Sequence, residues 1–249
     1  MPNKKSVKKM KRAVDSSKRV CSGISNFDKL IDRGFVKSST NLIVGGTGSG
    51  KTIFSTQFLI EGCKKGETCL YISFEERKNE FYENMKVLGL DLEELERKGK
   101  FFFIEYAPQK VKTMLEEGGG IIESLVLRKN ISRIVMDSLT SFVLLFENET
   151  EGREAVISLL NILRKWDATS ILTYARDPAE KKTTSRILEF ESDSVTYLYF
   201  SRNKSQRQRF LEVLKMRGTA HSTKTHLFSI GKKGIEVSKN AFSGGLGDG

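Results

Sequence analysis

Short apolar runs alternate with longer segments of mixed polarity along most of the chain. Residues 40–46 (TNLIVGG), 68–74 (TCLYISF), 100–106 (KFFFIEY), 131–138 (ISRIVMDS) and 169–174 (TSILTY) are brief and rich in β-branched and aromatic residues, and they predict strands. Between them apolar positions recur at helical spacing. Residues 51–65 predict a helix with Phe54, Phe58, Leu59 and Gly62 on one side, and residues 78–90 predict another, stopped by Gly89. Residues 121–129 and 151–166 predict two more, the second long and amphipathic. Strand and helix in alternation predict a parallel sheet with crossover helices.

The pattern changes after residue 193. Residues 193–201, 208–216, 225–230 and 234–238 predict strands joined by short polar turns, an antiparallel extension of the sheet. The chain has three prolines, none in a linker-like cluster, and no internal repeat. The expected organisation is one α/β domain over residues 20–238. A basic, disordered arm (1–19) precedes it and a flexible glycine-rich tail (239–249) follows.

Composition narrows the class. A chain of 249 residues with 38% hydrophobic content can bury a sizeable core. No run approaches the roughly 18 apolar residues of a membrane span, and the basic N-terminus lacks the apolar stretch of a secretory leader. The expectation is a cytoplasmic protein with no membrane partner. Cys21, Cys63 and Cys69 are odd in number and have no metal-ligand spacing, which predicts buried or idle thiols. The net charge of +11 is uneven: residues 1–19 carry eight Lys/Arg against Asp15 alone. That arm is a candidate contact for nucleic acid or an acidic protein, or a solvated tail.

Residues 45–52 read GGTGSGKT, which fits G-x-x-x-x-G-K-[ST] between a predicted strand and a predicted helix. Glycines let backbone N–H groups turn toward phosphates, and the helix start adds its positive end. The expected ATP contacts are Gly46, Thr47, Gly48, Ser49, Gly50, Lys51, Thr52 and Ile53. Lys51 reaches the β/γ-phosphates and the Thr52 hydroxyl ligates Mg2+. Asp137 ends an apolar strand, where a carboxylate suits the magnesium ion or its bound water; the alternative is a helix cap for the segment from Leu139. Glu75 and Glu76 directly follow the second strand. Adjacent carboxylates repel, so one with a raised pKa could activate water, the alternative being a solvated turn. In VLKMRGTAHS, Lys215 and Arg217 stand two apart, so on a strand they share a face.

Taken together, GISNFDKLIDRGFVKSSTNLIVGGTGSGKTIFSTQFLIEG, YISFEE, IVMDSLT and KMRGTAHS, in that order, resemble the KaiC-type ATPases of the RecA/RadA superfamily over roughly residues 21–238. The resemblance implies a RecA-like P-loop core with helices on both faces of a mainly parallel sheet. It implies a ring-forming homo-oligomer, a hexamer, that hydrolyses Mg-ATP between subunits. Glu75 and Glu76 would include the catalytic carboxylate, and Lys215 and Arg217 would reach a neighbour's ATP. His221 would line the base or the interface, or sit idle on the surface.

Some KaiC domains phosphorylate themselves on a Ser-Thr pair. The matching positions here are Glu189 and Phe190, a departure from the autokinase pattern, although Thr183, Thr184 and Ser185 lie close by. The sequence holds one ATPase unit where the clock protein has two, so a clock role is not implied. Two other functions stay open. One is a RecA/RadA-like DNA-binding recombination factor, favoured by the basic arm and opposed by the acidic LFENETEGREA after Asp137. The other is a nucleotide sensor without turnover.

Overall fold

The computed structural model describes residues 18–146, 148–176, 183–203 and 206–243. The basic arm up to residue 17 and the tail from residue 244 lie outside these. The chain runs β1 (Arg19–Val20), α1 (Phe27–Leu30), β2 (Phe35–Val36), β3 (Thr40–Gly45), α2 (Lys51–Lys64), β4 (Thr68–Ser73), α3 (Lys78–Val87), α4 (Glu93–Arg97) and β5 (Phe101–Glu105). It continues through α5 (Pro108–Glu116), α6 (Gly120–Lys129), β6 (Ile131–Asp137), α7 (Leu139–Val143), α8 (Glu149–Lys165), β7 (Thr169–Ala175) and α9 (Thr183–Glu191). It closes with β8 (Ser194–Asn203), β9 (Gln206–Met216), β10 (His226–Gly231) and β11 (Gly234–Ala241).

Nine strands form one sheet in the order β11-β10-β9-β8-β3-β7-β6-β4-β5. From β8 to β5 every pairing is parallel, and β8 through β11 pair antiparallel, so the extension follows the parallel core as expected. Strand periodicity divides the core in two. Leu42, Val44, Leu70, Ile72, Ile134 and Met136 face α5 to α9, while Ile43, Cys69, Tyr71 and Val135 face α1 to α3. The parallel strands read as continuous apolar runs because both faces are covered. Among the described residues no helix is long and apolar enough to cross a membrane.

Two helices differ from the sequence expectation. Besides Phe54, Phe58 and Leu59, α2 also buries Ser55, Thr56, Gln57, Ile60 and Cys63. The reason is tertiary. The antiparallel extension folds over its outer side, where Gln57 accepts from Ile235 N–H at 2.7 Å and donates to Lys233 O at 3.2 Å. On the opposite side, Gly62 admits the buried Arg133: a Cβ at Gly62 would stand 2.5 Å from its Nε. Helix α3 ends at Val87 rather than near residue 90. Gly89, at φ +75°, donates to Lys86 O and Leu90 N–H donates to Met85 O, the paired bonds of a Schellman cap.

Candidate functional site

Because β3, β4, β6 and β7 run parallel, their C-terminal ends open on one edge of the sheet, where α/β proteins place ligands. The loop after β3 carries the glycine-rich pattern. Gly48 (φ +74°) and Gly50 (φ +101°) adopt the left-handed backbone that glycine allows. Gly50 precedes α2 with no side-chain cap, so the first N–H groups of a 14-residue helix point at the loop without an internal partner. The Ser49 hydroxyl is also buried without a hydrogen-bond partner. Lys51 Nζ donates to Gly45 O at 2.8 Å and Gly46 O at 3.0 Å, leaving one of its three N–H donors uncommitted. Burial holds the Lys51 ammonium below its ordinary pKa, and the nearby Asp137 and Glu75 carboxylates act in the opposite direction. Gly46 and Thr47 complete the loop, and Ile53 is half-buried in the first turn of α2.

Asp137 does not cap α7. Its Oδ2 accepts from Thr52 Oγ1 at 2.7 Å and from the Tyr71 hydroxyl at 2.6 Å, while Oδ1 accepts from Thr173 Oγ1. Burial first, then the Asp137 charge, holds the Tyr71 phenol far above its ordinary pKa, so it remains a donor. Thr52 and Asp137 thus supply hard oxygens side by side at the start of α2. Mg2+ takes such a set, keeping most of its ligands as water and phosphate.

Glu75 and Glu76 follow β4 on the same edge. Glu75 Oε1 accepts from Ser138 Oγ at 2.9 Å and Ser141 Oγ at 2.6 Å. Glu76 reaches solvent, but partial burial, then Asp137, Glu75 and Glu80, raises its carboxyl above the usual range. The adjacent carboxylates are therefore unequal: Glu75 is anchored by two serines, and Glu76 is held above the usual carboxylate range. Sequence reasoning missed Ser138, Ser141, Tyr71 and Thr173, and it also missed Arg209. Arg209 stacks on Phe200 at 4.2 Å and donates through Nε and Nη2 to Gly48 O at 3.1 and 3.0 Å.

Lys215 and Arg217 sit elsewhere. The register pairs Asn41 with Ser194, Ser194 with Met216 and Val195 with Lys215. Lys215 therefore lies level with the start of β3, whereas the phosphate loop follows its end. The separation is about 10 Å of strand, at roughly 3.3 Å per residue, before the loop begins. The two cations share a face, as their spacing on a strand predicts, with Met216 buried between them. Leu214 has no register partner between Val213 and Lys215, a bulge that turns Leu214 and Lys215 outward. Lys215 Nζ donates to Glu189 O at 3.0 Å and Phe190 O at 2.7 Å, and Arg217 Nη2 donates to Phe190 O at 2.8 Å. Both cations thus hold the last carbonyls of α9, the negative end of that helix. Burial, then Arg217, holds the Lys215 ammonium below its ordinary pKa.

Beside them Phe190 (73% exposed) and Leu214 (52% exposed) line a shallow cleft of about 460 Å³. His221 lies on the segment between β9 and β10, with Nδ1 3.0 Å from Ser222 O, and the N–H of Ser222 donates to Leu30 O at 2.8 Å. Glu189, which the resemblance matched to the phosphoacceptor pair, accepts from Arg176 at 2.7 Å and from the Tyr197 hydroxyl at 2.6 Å. The side chains of Thr183, Thr184 and Ser185 lie outside the described residues.

The family model described as "ATPase: KaiC" matches residues 20–241. The chain is 34% identical to the circadian clock protein KaiC3 of Synechocystis, over 90% of this chain and 46% of that protein. It thus spans less than half the length of that relative. It is 31% identical to a UPF0273 protein of Thermotoga maritima, over 88% of this chain and 96% of that one. Among solved structures, the crystal structure of a KaiC-like protein from Pyrococcus horikoshii superposes with a TM-score of 0.79 at 35% identity, covering 88% of this chain and 98% of that one.

Proposed function

Since the chain belongs to the KaiC family of ATPases, we propose that it binds and hydrolyses Mg-ATP at sites completed by a neighbouring copy in a closed ring, a hexamer. One observation carries this reading. Lys51, Thr52, Asp137, Glu75 and Glu76 share one edge of the sheet, while Lys215 and Arg217 lie at the other. Cations held there cannot serve their own phosphate loop. In a ring, a head-to-tail interface would bring the second set to the next subunit's first.

The proposed roles follow from the contacts. Backbone N–H groups of residues 46–53 cradle the phosphates and Lys51 contacts the β/γ-phosphates. Thr52 and Asp137 would hold Mg2+, which supplies charge neutralisation on the phosphates when bound. Glu75, fixed by two serines and electrostatically close to Lys51, orients the attacking water. Glu76, whose carboxyl burial and neighbouring charges raise, takes the proton. Arg209, on the Gly48 carbonyl, sets the loop in its own subunit. Lys215 and Arg217 stabilise charge on the neighbour's transferring phosphoryl group, with Phe190 and Leu214 as the apolar contact and His221 near the nucleotide. Glu189, a carboxylate paired with Arg176 and Tyr197, supports ATPase rather than autokinase chemistry. The domain limits proposed are 20–238, with β11 itself continuing to Ala241. The basic arm remains a proposed contact for nucleic acid or an acidic protein.

Light scattering with and without Mg-ATP, paired with phosphate release, tests this reading. We expect a ring-sized mass with nucleotide and turnover abolished in Lys51→Ala. A monomer that hydrolyses ATP at full rate would overturn the shared-site reading, and normal ATP affinity in Lys51→Ala would overturn the site itself.

A further inference from the structure

Asp137 accepts from three hydroxyls on three separate elements, and two of them, Tyr71 and Thr173, belong to no phosphate-binding pattern. Tyr71 stands on β4, only 1% exposed, with its ring packed against Phe81 and Phe103 at centroid distances of 4.5 and 5.4 Å. Its hydroxyl shares Asp137 Oδ2 with Thr52. A buried phenol needs an acceptor, and a phenylalanine would fill the same ring site without one. Packing alone therefore does not call for the hydroxyl.

Lone-pair accounting shows what the hydroxyl does. An ionised carboxylate offers about four acceptor positions. Thr52, Tyr71 and Thr173 occupy three, on both oxygens, which leaves one. The donors come from α2, β4 and β7, so they fix the plane of the carboxylate as well as its position. The Thr52 hydroxyl gives its proton to Asp137 and so keeps its lone pairs for a cation. The remaining acceptor on Asp137 can then take a metal-bound water.

We propose that Tyr71 is a positioning residue for the magnesium ion: its hydroxyl locks Asp137 so that the free lone pair meets a metal-bound water. This rests on the reading of Thr52 and Asp137 as the magnesium site. Without the hydroxyl, Oδ2 keeps only Thr52, and two donors rather than three fix the plane of the carboxylate. Outer-shell partners of this kind typically contribute about 10–100-fold to metal affinity.

The test is calorimetric binding of a non-hydrolysable ATP analogue to Tyr71→Phe, in EDTA and across a magnesium titration. In EDTA the variant should bind as the wild type does. With magnesium, its half-saturating concentration should rise about tenfold or more. Phe81→Leu, which loosens the ring packing but keeps the hydroxyl, should leave that concentration within about twofold of the wild type. Thermal melts of both variants report any loss of folding separately. An unchanged magnesium requirement in Tyr71→Phe overturns the proposal. So does an equal loss with and without magnesium, or an equal rise in Phe81→Leu, because each makes Tyr71 a packing residue. If the wild type itself shows no magnesium-dependent binding, the magnesium-site reading fails and the role of Tyr71 falls with it.

Discussion

Replacing Arg217 with alanine separates a structural role from a catalytic one by magnitude. Within its own chain Arg217 donates to Phe190 O at 2.8 Å and lies 3.4 Å from Asp193 Oδ1, with its side chain 48% exposed. An ion pair this exposed contributes about 0–1 kcal/mol, and one partly solvated hydrogen bond adds about 1 kcal/mol. The expected stability cost is therefore at most about 2 kcal/mol, which leaves nearly all of a domain of ordinary stability folded. A cation supplied in trans to a transferring phosphoryl group contributes about 10³–10⁵ in rate. At 1.36 kcal/mol per decade that is about 4–7 kcal/mol of barrier. The two losses differ enough to be told apart.

Phosphate release at saturating Mg-ATP, beside a denaturant melt, measures both. Arg217→Ala should lose at least about a thousandfold in turnover while its melt barely moves. Mixing it with Lys51→Ala then asks where the arginine acts. An interface works when the Arg217→Ala subunit owns the phosphate loop and the Lys51→Ala subunit faces it, about a quarter of interfaces in a random equal mixture around a closed ring. Recovery toward that level, from two inactive proteins, requires a shared site. Full turnover in Arg217→Ala would refute the reasoning, as would no recovery at any ratio in mixtures shown to assemble.

Glu80→Gln removes a charge that raises the Glu76 carboxyl, so the acid limb of the pH–turnover profile should shift to lower pH with the plateau unchanged; an unmoved limb would detach Glu76 from the chemistry. Glu67→Ala strands the guanidinium of Arg133, which is 1% exposed and bound bidentately by Glu67, and should cost about 3–5 kcal/mol in urea unfolding; a loss under about 1 kcal/mol would mean that water reaches the arginine. A Cβ at Gly45 would stand 2.3 Å from Leu198 O and 2.6 Å from Ser49 Oγ, whereas one at Gly46 meets nothing within 4 Å. Gly45→Ala should therefore destabilise by about 1–3 kcal/mol and Gly46→Ala far less; equal melts would refute the contrast.

The parallel core and its antiparallel extension were legible because their signals are local. Strands buried on both faces are apolar throughout, and the phosphate loop needs only consecutive residues between a strand and a helix. Elements of a few residues, β1, β2, α4 and α7, are too short for any period to register. Helix α5 was legible and passed over: Pro108 opens it, Val111 and Met114 face the core, and three glycines follow. The rest of the site was not legible. Whether Tyr71, Ser141 or Thr173 meets a given carboxylate depends on strand order, which alternation along one strand does not encode. That Lys215 and Arg217 share a face was legible from their spacing, whereas the α9 carbonyls they hold were not, because that contact depends on where α9 ends.

The two-edged layout has a thermodynamic consequence on the proposed reading. Lys215 and Arg217 are like charges held close, and their compensation within the chain is the partial negative end of α9 and the half-exposed Asp193. Burial first, then the Arg217 charge, holds the Lys215 ammonium below its ordinary pKa. A phosphate delivered by the next subunit would relieve that repulsion, and its own subunit cannot deliver one. Binding of ATP and association of subunits are then linked, and linkage is reciprocal: whatever factor ATP adds to association, association adds to ATP affinity. Loss of the γ-phosphate removes the charge nearest the trans cations, so hydrolysis loosens the same contact that made it possible. On the proposed reading, separating the cations from their own phosphate loop by about 10 Å of strand would make assembly a condition of turnover.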